Sequence, residues 1–174
     1  MKSQISEFTP ADTGAVNQVA LSAFRQYEHE YKDWATFSAR VRNMAALADS
    51  AELIVAKVGD RIAGAVAYVG PGKEKAPFFA IEWPILRMLV VDPALRGMGI
   101  GRALTEECIR RAIRDEAPLI ALHTSHIMAV ALAMYQRMGF RFERAAPDIC
   151  GVLYGVYVLE LTEESSNTSV EPVR

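Results

Sequence analysis

One stretch of this chain constrains its fold more than any other, because an apolar strand there leads through a glycine-rich turn into an amphipathic helix. The strand is predicted over residues 85–91 and the helix from residue 100 to about residue 113. Between them, Gly97, Gly99 and Gly101 leave backbone amides uncovered by side chains. The first N–H groups of a helix lack intrahelical partners and attract anions, so residues 96–102, here called the cradle, are predicted to bind a pyrophosphate.

Two common phosphate-binding motifs do not fit the cradle. A Walker A loop ends in Gly-Lys-Ser/Thr, whereas Gly101 is followed by Arg102 and Ala103. A dinucleotide fingerprint places its third glycine one residue later and needs an acid at the end of the next strand, which here ends in His123-Thr124-Ser125. The sequence therefore argues against a P-loop nucleotidase, and a nicotinamide-dependent oxidoreductase remains only as a third hypothesis.

The pattern that does fit is Arg96-x-x-Gly99-x-Gly101 after Val91-Asp92-Pro93, which resembles the acetyl-coenzyme A signature of the GNAT N-acetyltransferase superfamily. Downstream, Ala131-x-x-Met134-Tyr135-x-x-x-Gly139-Phe140 is similar to the second cofactor segment of that superfamily. The two motifs occur in the family's order, within about residues 81–145. The resemblance implies a three-layer α/β/α sandwich with a central mixed, mostly antiparallel sheet that is splayed between strands 4 and 5.

The order of predicted elements agrees with such an α/β sandwich. Hydrophobic periodicity predicts one strand, two helices, three strands, a helix, a strand, a helix and two final strands. The first helix is predicted to extend to about residue 31, and the second to run from residue 34 to about residue 48. The last two strands are predicted to be divided by residues 145–148.

Length and composition limit the organisation and the partners of the chain. Its 174 residues, 51% of them hydrophobic, suit a single domain over residues 1–162, followed by a polar tail over residues 163–174 that is expected to be flexible. A net charge of -2 predicts neither a nucleic-acid partner nor a membrane partner. Cys108 and Cys150 lack a metal-binding spacing, so no metal and a reducing, cytoplasmic location are expected.

The resemblance implies acetyl-CoA as the acyl donor, with its pantetheine arm lying like an extra strand between strands 4 and 5. Arg96 is expected to make the main side-chain contact with the pyrophosphate. Met128 stands where many members carry an asparagine, and Ser125 is expected to compensate. The implied donor-binding residues are Leu89, Val90, Val91, Arg96, Gly97, Met98, Gly99, Ile100, Gly101, Arg102, Thr124 and Ser125.

Acetyl transfer to an amine needs a proton acceptor for the ammonium, a proton donor for the departing thiolate and stabilisation of the oxyanion. Tyr135 stands where the family motif places a tyrosine, and the resemblance implies that it is the general acid. By the same analogy, a backbone N–H near Met88 or Leu89 is expected to hold the carbonyl oxygen.

The general base departs from the family pattern. Many members carry a glutamate on the fourth strand at the place that Ile85 fills here. Glu82 is therefore predicted to act as the base through a water molecule, and His123 at the end of the fifth strand is the alternative.

Two functional hypotheses follow from the resemblance. The first is an N-acetyltransferase that transfers the acetyl group directly, in a ternary complex, to a primary amine of a small molecule or peptide. The second is a catalytically silent acyl-CoA-binding sensor, which the missing strand carboxylate at Ile85 keeps open. A homodimer through an exposed C-terminal strand is compatible with either hypothesis.

Overall fold

A central sheet flanked by helices organises residues 2–161, which are the residues that the computed structural model describes. The strands are β1 (Gln4–Glu7), β2 (Glu52–Val58), β3 (Arg61–Val69), β4 (Ile85–Val91), β5 (Leu119–Thr124), β6 (Arg141–Ile149) and β7 (Val152–Glu160). The α-helices are α1 (Thr13–Phe24), α2 (Trp34–Val41), α3 (Ile100–Arg114) and α4 (Ala129–Arg137). The predicted tail over residues 163–174 lies outside the described residues, so the domain assignment stays a prediction.

The strand order in the sheet is β1-β2-β3-β4-β5-β7-β6. Strands β4 and β5 are parallel, and every other neighbouring pair is antiparallel. This confirms the predicted mixed, mostly antiparallel sheet. The C-terminal strand of the expected homodimer contact is not an edge of the sheet within residues 2–161, because β7 lies between β5 and β6 and leaves β6 at the edge. The homodimer itself stays a prediction.

Helices cover both faces of the sheet, which confirms the three-layer prediction. On one face α1 and α2 bury residues such as Val16, Phe24 and Val41 against the sheet. On the other face α3 and α4 bury residues such as Leu104 and Tyr135. Each helix thus turns one apolar stripe toward the sheet, as its sequence periodicity predicts.

Strands β4 and β5 pair at one position only, where Ile85 at the beginning of β4 faces Ala121 in the middle of β5. Beyond that pair they splay apart, as predicted. On the other side of β4, the pairing with β3 shifts by one residue, because Met88 and Leu89 together oppose Val66. Met88 has a φ of 57°, so this β-bulge bends the strand and holds a strained backbone at the splay.

Three predicted boundaries are corrected by tertiary packing. Helix α1 ends at Phe24 and α2 at Val41, and each is followed by a short 3-10 segment, Arg25–Tyr27 and Met44–Asp49 respectively. The aromatic periodicity beyond Phe24 reflects core packing instead, since buried Tyr31 joins its hydroxyl to that of Tyr154 at 2.5 Å.

The third correction concerns the last two strands. Strand β6 continues through residues 145–148 as far as Ile149, and the turn into β7 falls at Cys150 and Gly151. Pro147 is compatible with β6 because an edge strand tolerates a residue without a backbone N–H.

Candidate active site

Two adjoining cavities lie along the splay between β4 and β5. The larger, about 610 Å³, is here called the central cavity and is bordered by α2, β4, β5 and β7. The smaller, about 370 Å³, contains the cradle and is called the cradle cavity. Both are lined by Phe24, Leu89, Met128 and Ala131, so the cavities meet beside the bulge of β4.

The backbone of the cradle has the form that an anion site requires. Gly97 and Gly99 have φ values of 79° and 75°, which side chains rarely tolerate. A Cβ added at either glycine would meet no atom within 4 Å, so the space beside the backbone is open there. Asp92 holds the preceding turn by accepting a hydrogen bond from the Ala94 amide at 2.9 Å, and Gly99 is the N-cap of α3.

The side chains of the cradle cavity add positive charge. Arg96, Arg102 and Arg137 line it, and among the described residues no Asp or Glu does. Arg96 is held by the end of α1 and the 3-10 segment after it, since its guanidinium donates to the Ala23 carbonyl at 3.4 Å and to Gln26 Oε1 at 3.1 Å. Arg102 pairs with Glu106 at 2.8 Å, which offsets part of its charge. A cation-rich wall with open amides suits a polyphosphate.

Most of the predicted donor-binding residues meet in these cavities. Those that line the cradle cavity are Leu89, Val91, Arg96, Gly97, Gly99, Ile100, Gly101 and Arg102. Thr124 lines the central cavity, as Leu89 also does. Val90, Met98 and Ser125 line neither cavity.

The three residues outside the cavities have other surroundings. Val90 is buried in the core on the α1 side of the sheet, because strand alternation turns it away from Leu89 and Val91. Met98 is exposed, and buried Ser125 accepts a hydrogen bond from the Ile127 amide at 3.4 Å. Ser125 thus shapes the turn before α4, and its predicted compensation for Met128 stays a prediction.

Tyr135 lies in the central cavity, where α4 faces the splay. Its side chain is only 4% exposed and packs edge-to-face against Phe140, with ring centroids 5.6 Å apart. Within residues 2–161 its hydroxyl forms no hydrogen bond to protein. Burial, and to a smaller extent the neighbouring Cys108, raises the pKa of Tyr135, so the phenol keeps its proton at neutral pH.

The two candidates for the general base lie in different places. His123 lines the central cavity, and its ring lies 5.3 Å from that of Tyr154 and 5.4 Å from that of Phe78. Its Nδ1 is buried and has no hydrogen-bond partner among the described residues. Burial, followed by the charge of Arg87, lowers the pKa of His123 to about 4. The imidazole is therefore neutral at pH 7 and has a lone pair available.

Glu82, in contrast, is exposed in the segment before β4 and lines neither cavity. Ile85, at the place of the family glutamate, is 2% exposed and belongs to the core. The geometry thus brings Tyr135 and His123 to one cavity and leaves Glu82 outside it.

Several lining residues were missed by the sequence reasoning. In the cradle cavity these include Gln26, Leu95 and Arg137, and in the central cavity they include Arg40, Asn43, Arg87 and Tyr154. One of them carried a signal, because Arg87 is the only charged residue in the otherwise apolar strand β4. The others come from elements that approach the splay only through the fold.

Two further properties bear on the class of site. Within residues 2–161, no group of three or more His, Cys, Asp or Glu side chains is arranged to hold a metal ion. In the same part of the chain, no helix combines the length and the apolar character that crossing a membrane requires.

The chain matches the model of a known protein family. The model of the acetyltransferase (GNAT) family matches residues 15–140. Among curated proteins none matches the chain.

Solved structures share the fold. PH1933 from Pyrococcus horikoshii has a TM-score of 0.74 at 20% identity, covering 92% of this chain and 99% of its own. YncA from Salmonella typhimurium, solved with its cofactor acetyl-CoA, has a TM-score of 0.64 at 16% identity. The match covers 94% of this chain and 96% of the YncA chain. A GNAT family acetyltransferase from Brucella melitensis, solved in complex with acetyl-CoA, has a TM-score of 0.55 at 23% identity. The match covers 92% of this chain and 88% of that structure's chain. At these identities the likeness shows the fold alone.

Proposed function

Because this chain belongs to the GNAT acetyltransferase family, we propose that it is an N-acetyltransferase that moves the acetyl group of acetyl-CoA directly to a primary amine of a small molecule or peptide. The observation that carries the proposal is the pair of adjoining cavities. One is cationic and has open amides, and the other contains a buried phenol and a neutral imidazole. Together they offer room for both substrates in a single ternary complex.

The donor is assigned to the cradle cavity and the splay. The amides of Gly97 to Gly101 and the Arg96 guanidinium would bind the pyrophosphate. The pantetheine arm would follow the side of β4 that faces β5, where no strand within residues 2–161 pairs with β4 beyond Ile85. This path leads to the bulge at Met88, where a backbone N–H near Met88 or Leu89 would bind the thioester oxygen.

The chemistry requires two proton movements. His123 takes one proton from the ammonium, and the amine nitrogen then forms a bond to the acetyl carbon. The carbon–sulfur bond breaks, and Tyr135 gives its proton to the thiolate and regains one from the nitrogen. The products are the N-acetylated amine and CoA, and His123 releases its proton to solvent. The thiolate departs into the same buried space as Tyr135. Burial there raises the proton affinity of the thiolate, as it raises that of the Tyr135 phenolate.

A covalent route through a cysteine lacks support. Burial raises the pKa of Cys108, which is fully buried in the core, so its thiol does not ionise at neutral pH. Cys150 lines neither cavity. Direct transfer therefore agrees better with the site.

Acetyl-CoA is expected to raise the melting temperature of the protein. At about 100 times its dissociation constant a ligand adds about 2.7 kcal/mol, which corresponds to about 5 to 11 °C for a chain of this size. Arg96→Ala removes a charge-assisted contact worth about 1.5 to 3 kcal/mol, so at the same acetyl-CoA concentration less than half of the shift should remain. Thermal unfolding with and without acetyl-CoA measures both.

The matched control for Arg96→Ala is Arg141→Ala on the edge strand, since Arg141 is exposed and lines neither cavity. It should keep the full shift. NAD is the parallel ligand, and a larger shift with NAD than with acetyl-CoA would contradict the proposal in favour of an oxidoreductase.

His123→Gln is expected to lower kcat/KM about 30-fold. This loss is smaller than is usual for a general base, because an imidazole with a pKa of about 4 holds a proton weakly. Steady-state release of CoA measures the effect. His126→Gln is the matched control, because His126 is exposed and lines neither cavity. If Glu82→Gln lowers kcat/KM and His123→Gln does not, the base is Glu82 acting through water.

A second candidate function is a catalytically silent acyl-CoA sensor. It is favoured by one observation, namely that among the described residues no Asp or Glu lines the central cavity. The sensor would bind acetyl-CoA and release no CoA with any amine. Thermal unfolding and CoA release on the same preparation therefore distinguish the two functions.

A further inference from the structure

The charged residues around the central cavity all have the same sign. Arg87 on β4 and Arg40 on α2 line it, and within residues 2–161 no carboxylate does. Most other lining groups are apolar, among them Phe24, Phe37, Met44, Leu47 and Ile149. The cavity thus combines positive charge with a broad apolar wall.

Arg87 lies next to the reacting centre. It directly precedes Met88 of the bulge, and strand alternation places it on the same face of the sheet as Ile85. Arg87 thus lines the same cavity as Met88 and Leu89, where the acetyl group is assigned. A ligand group bound to Arg87 would share this cavity with the amine that attacks.

The guanidinium of Arg87 has no counterion in the part of the chain that the structure describes. Some other arginines there have one, as Arg61 pairs with Asp92 and Arg111 with Glu52, whereas Arg40, which lines the same cavity, has none either. Arg87 is exposed on β4, so a ligand can reach its charge, while partial burial lowers its pKa. A guanidinium stays charged even so, and it can form charge-assisted hydrogen bonds to an anionic group of a ligand.

Charge selects between the possible acceptors. A polyamine, or a lysine within a peptide, would bring further positive charge toward two guanidiniums without a carboxylate to receive it. A carboxylate would instead form a forked, charge-assisted pair with a guanidinium. The apolar wall would cover an aliphatic or aromatic group on the same molecule.

We propose that the acceptor is an L-amino acid with an apolar side chain, whose carboxylate binds Arg87 while its amine faces the acetyl group at the bulge. The inference rests on the proposed function and narrows its acceptor from any amine to one with an adjacent acid. It makes Arg87 a residue that determines specificity, with Arg40 on the opposite wall as a second source of positive charge.

The same contact would assist the base. The charge of Arg87 is, after burial, the second cause that lowers the pKa of His123. A carboxylate bound to Arg87 cancels that charge, and the proton affinity of the imidazole rises when the amine has to be deprotonated.

Paired compounds test the inference. The twenty protein L-amino acids and their α-amides differ at the carboxylate, and CoA release is measured with each. The apolar amino acids should have a kcat/KM at least tenfold above that of their amides, although the amides contain more free amine at neutral pH. Arg87→Gln should raise KM for the amino acids about 30-fold, with little change in kcat or in the KM for acetyl-CoA, and should remove the preference.

The matched control is Arg42→Gln, because Arg42 is exposed, follows α2 and lines neither cavity. It should leave the KM for amino acids unchanged. A preference for amides or for uncharged amines overturns the inference, and so does an amino-acid preference that Arg87→Gln preserves.

Calorimetry with CoA-saturated protein separates this inference from the proposed function. If no amine releases CoA, the proposed function fails, while binding of L-phenylalanine or L-methionine that Arg87→Gln weakens still supports a carboxylate site. If none of the twenty amino acids binds, or if binding is equal in the variant, the carboxylate site is excluded even for a protein that acetylates other amines.

Discussion

Replacing Tyr135 with phenylalanine is expected to lower kcat about 10²- to 10³-fold while acetyl-CoA binds as before. The phenol is buried beside the splay and keeps its proton at neutral pH, so the variant loses the one proton donor that we assign to the thiolate. The ring and its edge-to-face contact with Phe140 remain, and within residues 2–161 the hydroxyl has no protein hydrogen bond to lose. The fold should therefore be intact.

Steady-state CoA release and thermal unfolding with acetyl-CoA measure the two halves of this prediction. Tyr157→Phe is the matched control, since Tyr157 lies on β7 and lines neither cavity. A variant that keeps full activity would show that Tyr135 only packs against the helix flank. A loss of acetyl-CoA binding equal to the loss of kcat would make it a binding residue instead.

Replacing Arg111 with methionine is expected to lower the free energy of unfolding by about 3 kcal/mol. Arg111 lies on α3, is only 4% exposed and joins three carboxylates from three elements. It pairs with Glu7 of β1, with Glu52 of β2 at 2.9 Å and with Glu107 of its own helix at 2.9 Å. The variant would leave these carboxylates close together without their shared cation.

Urea unfolding measures this effect as a lower midpoint at an unchanged m-value. Arg110→Met is the matched control, because Arg110 is exposed and pairs with Glu107 alone; its cost should stay below about 1 kcal/mol. An Arg111 variant as stable as the Arg110 variant would mean that the methionine side chain packs well enough to replace the network.

The predictions that held rest on local signals. The cradle and α3 could be placed because glycines with positive φ and a helix start are encoded within about ten residues. The apolar run of residues 85–91 predicted both ends of strand β4 correctly. The splay and the three layers came from the resemblance that those motifs carry, and the structure confirms both.

The predictions that failed depended on distant partners. The aromatic periodicity after α1 continues as if in a helix, yet Tyr31 packs flat on Phe37 and meets Tyr154 across the fold. The position of the last strand inside the sheet, between β5 and β6, likewise depends on partners that are distant in the chain.

By itself, the sequence determined the family, the order of the elements and the place of the cradle, since each follows from residues close together in the chain. Only the tertiary structure decided which polar groups share a cavity. It brought Tyr135, His123 and Arg87 to one cavity from α4, β5 and β4, left Glu82 outside, and placed no carboxylate of residues 2–161 in the lining. Side chains on three separate elements meet only when the bulge and the splay have set the distances between those elements.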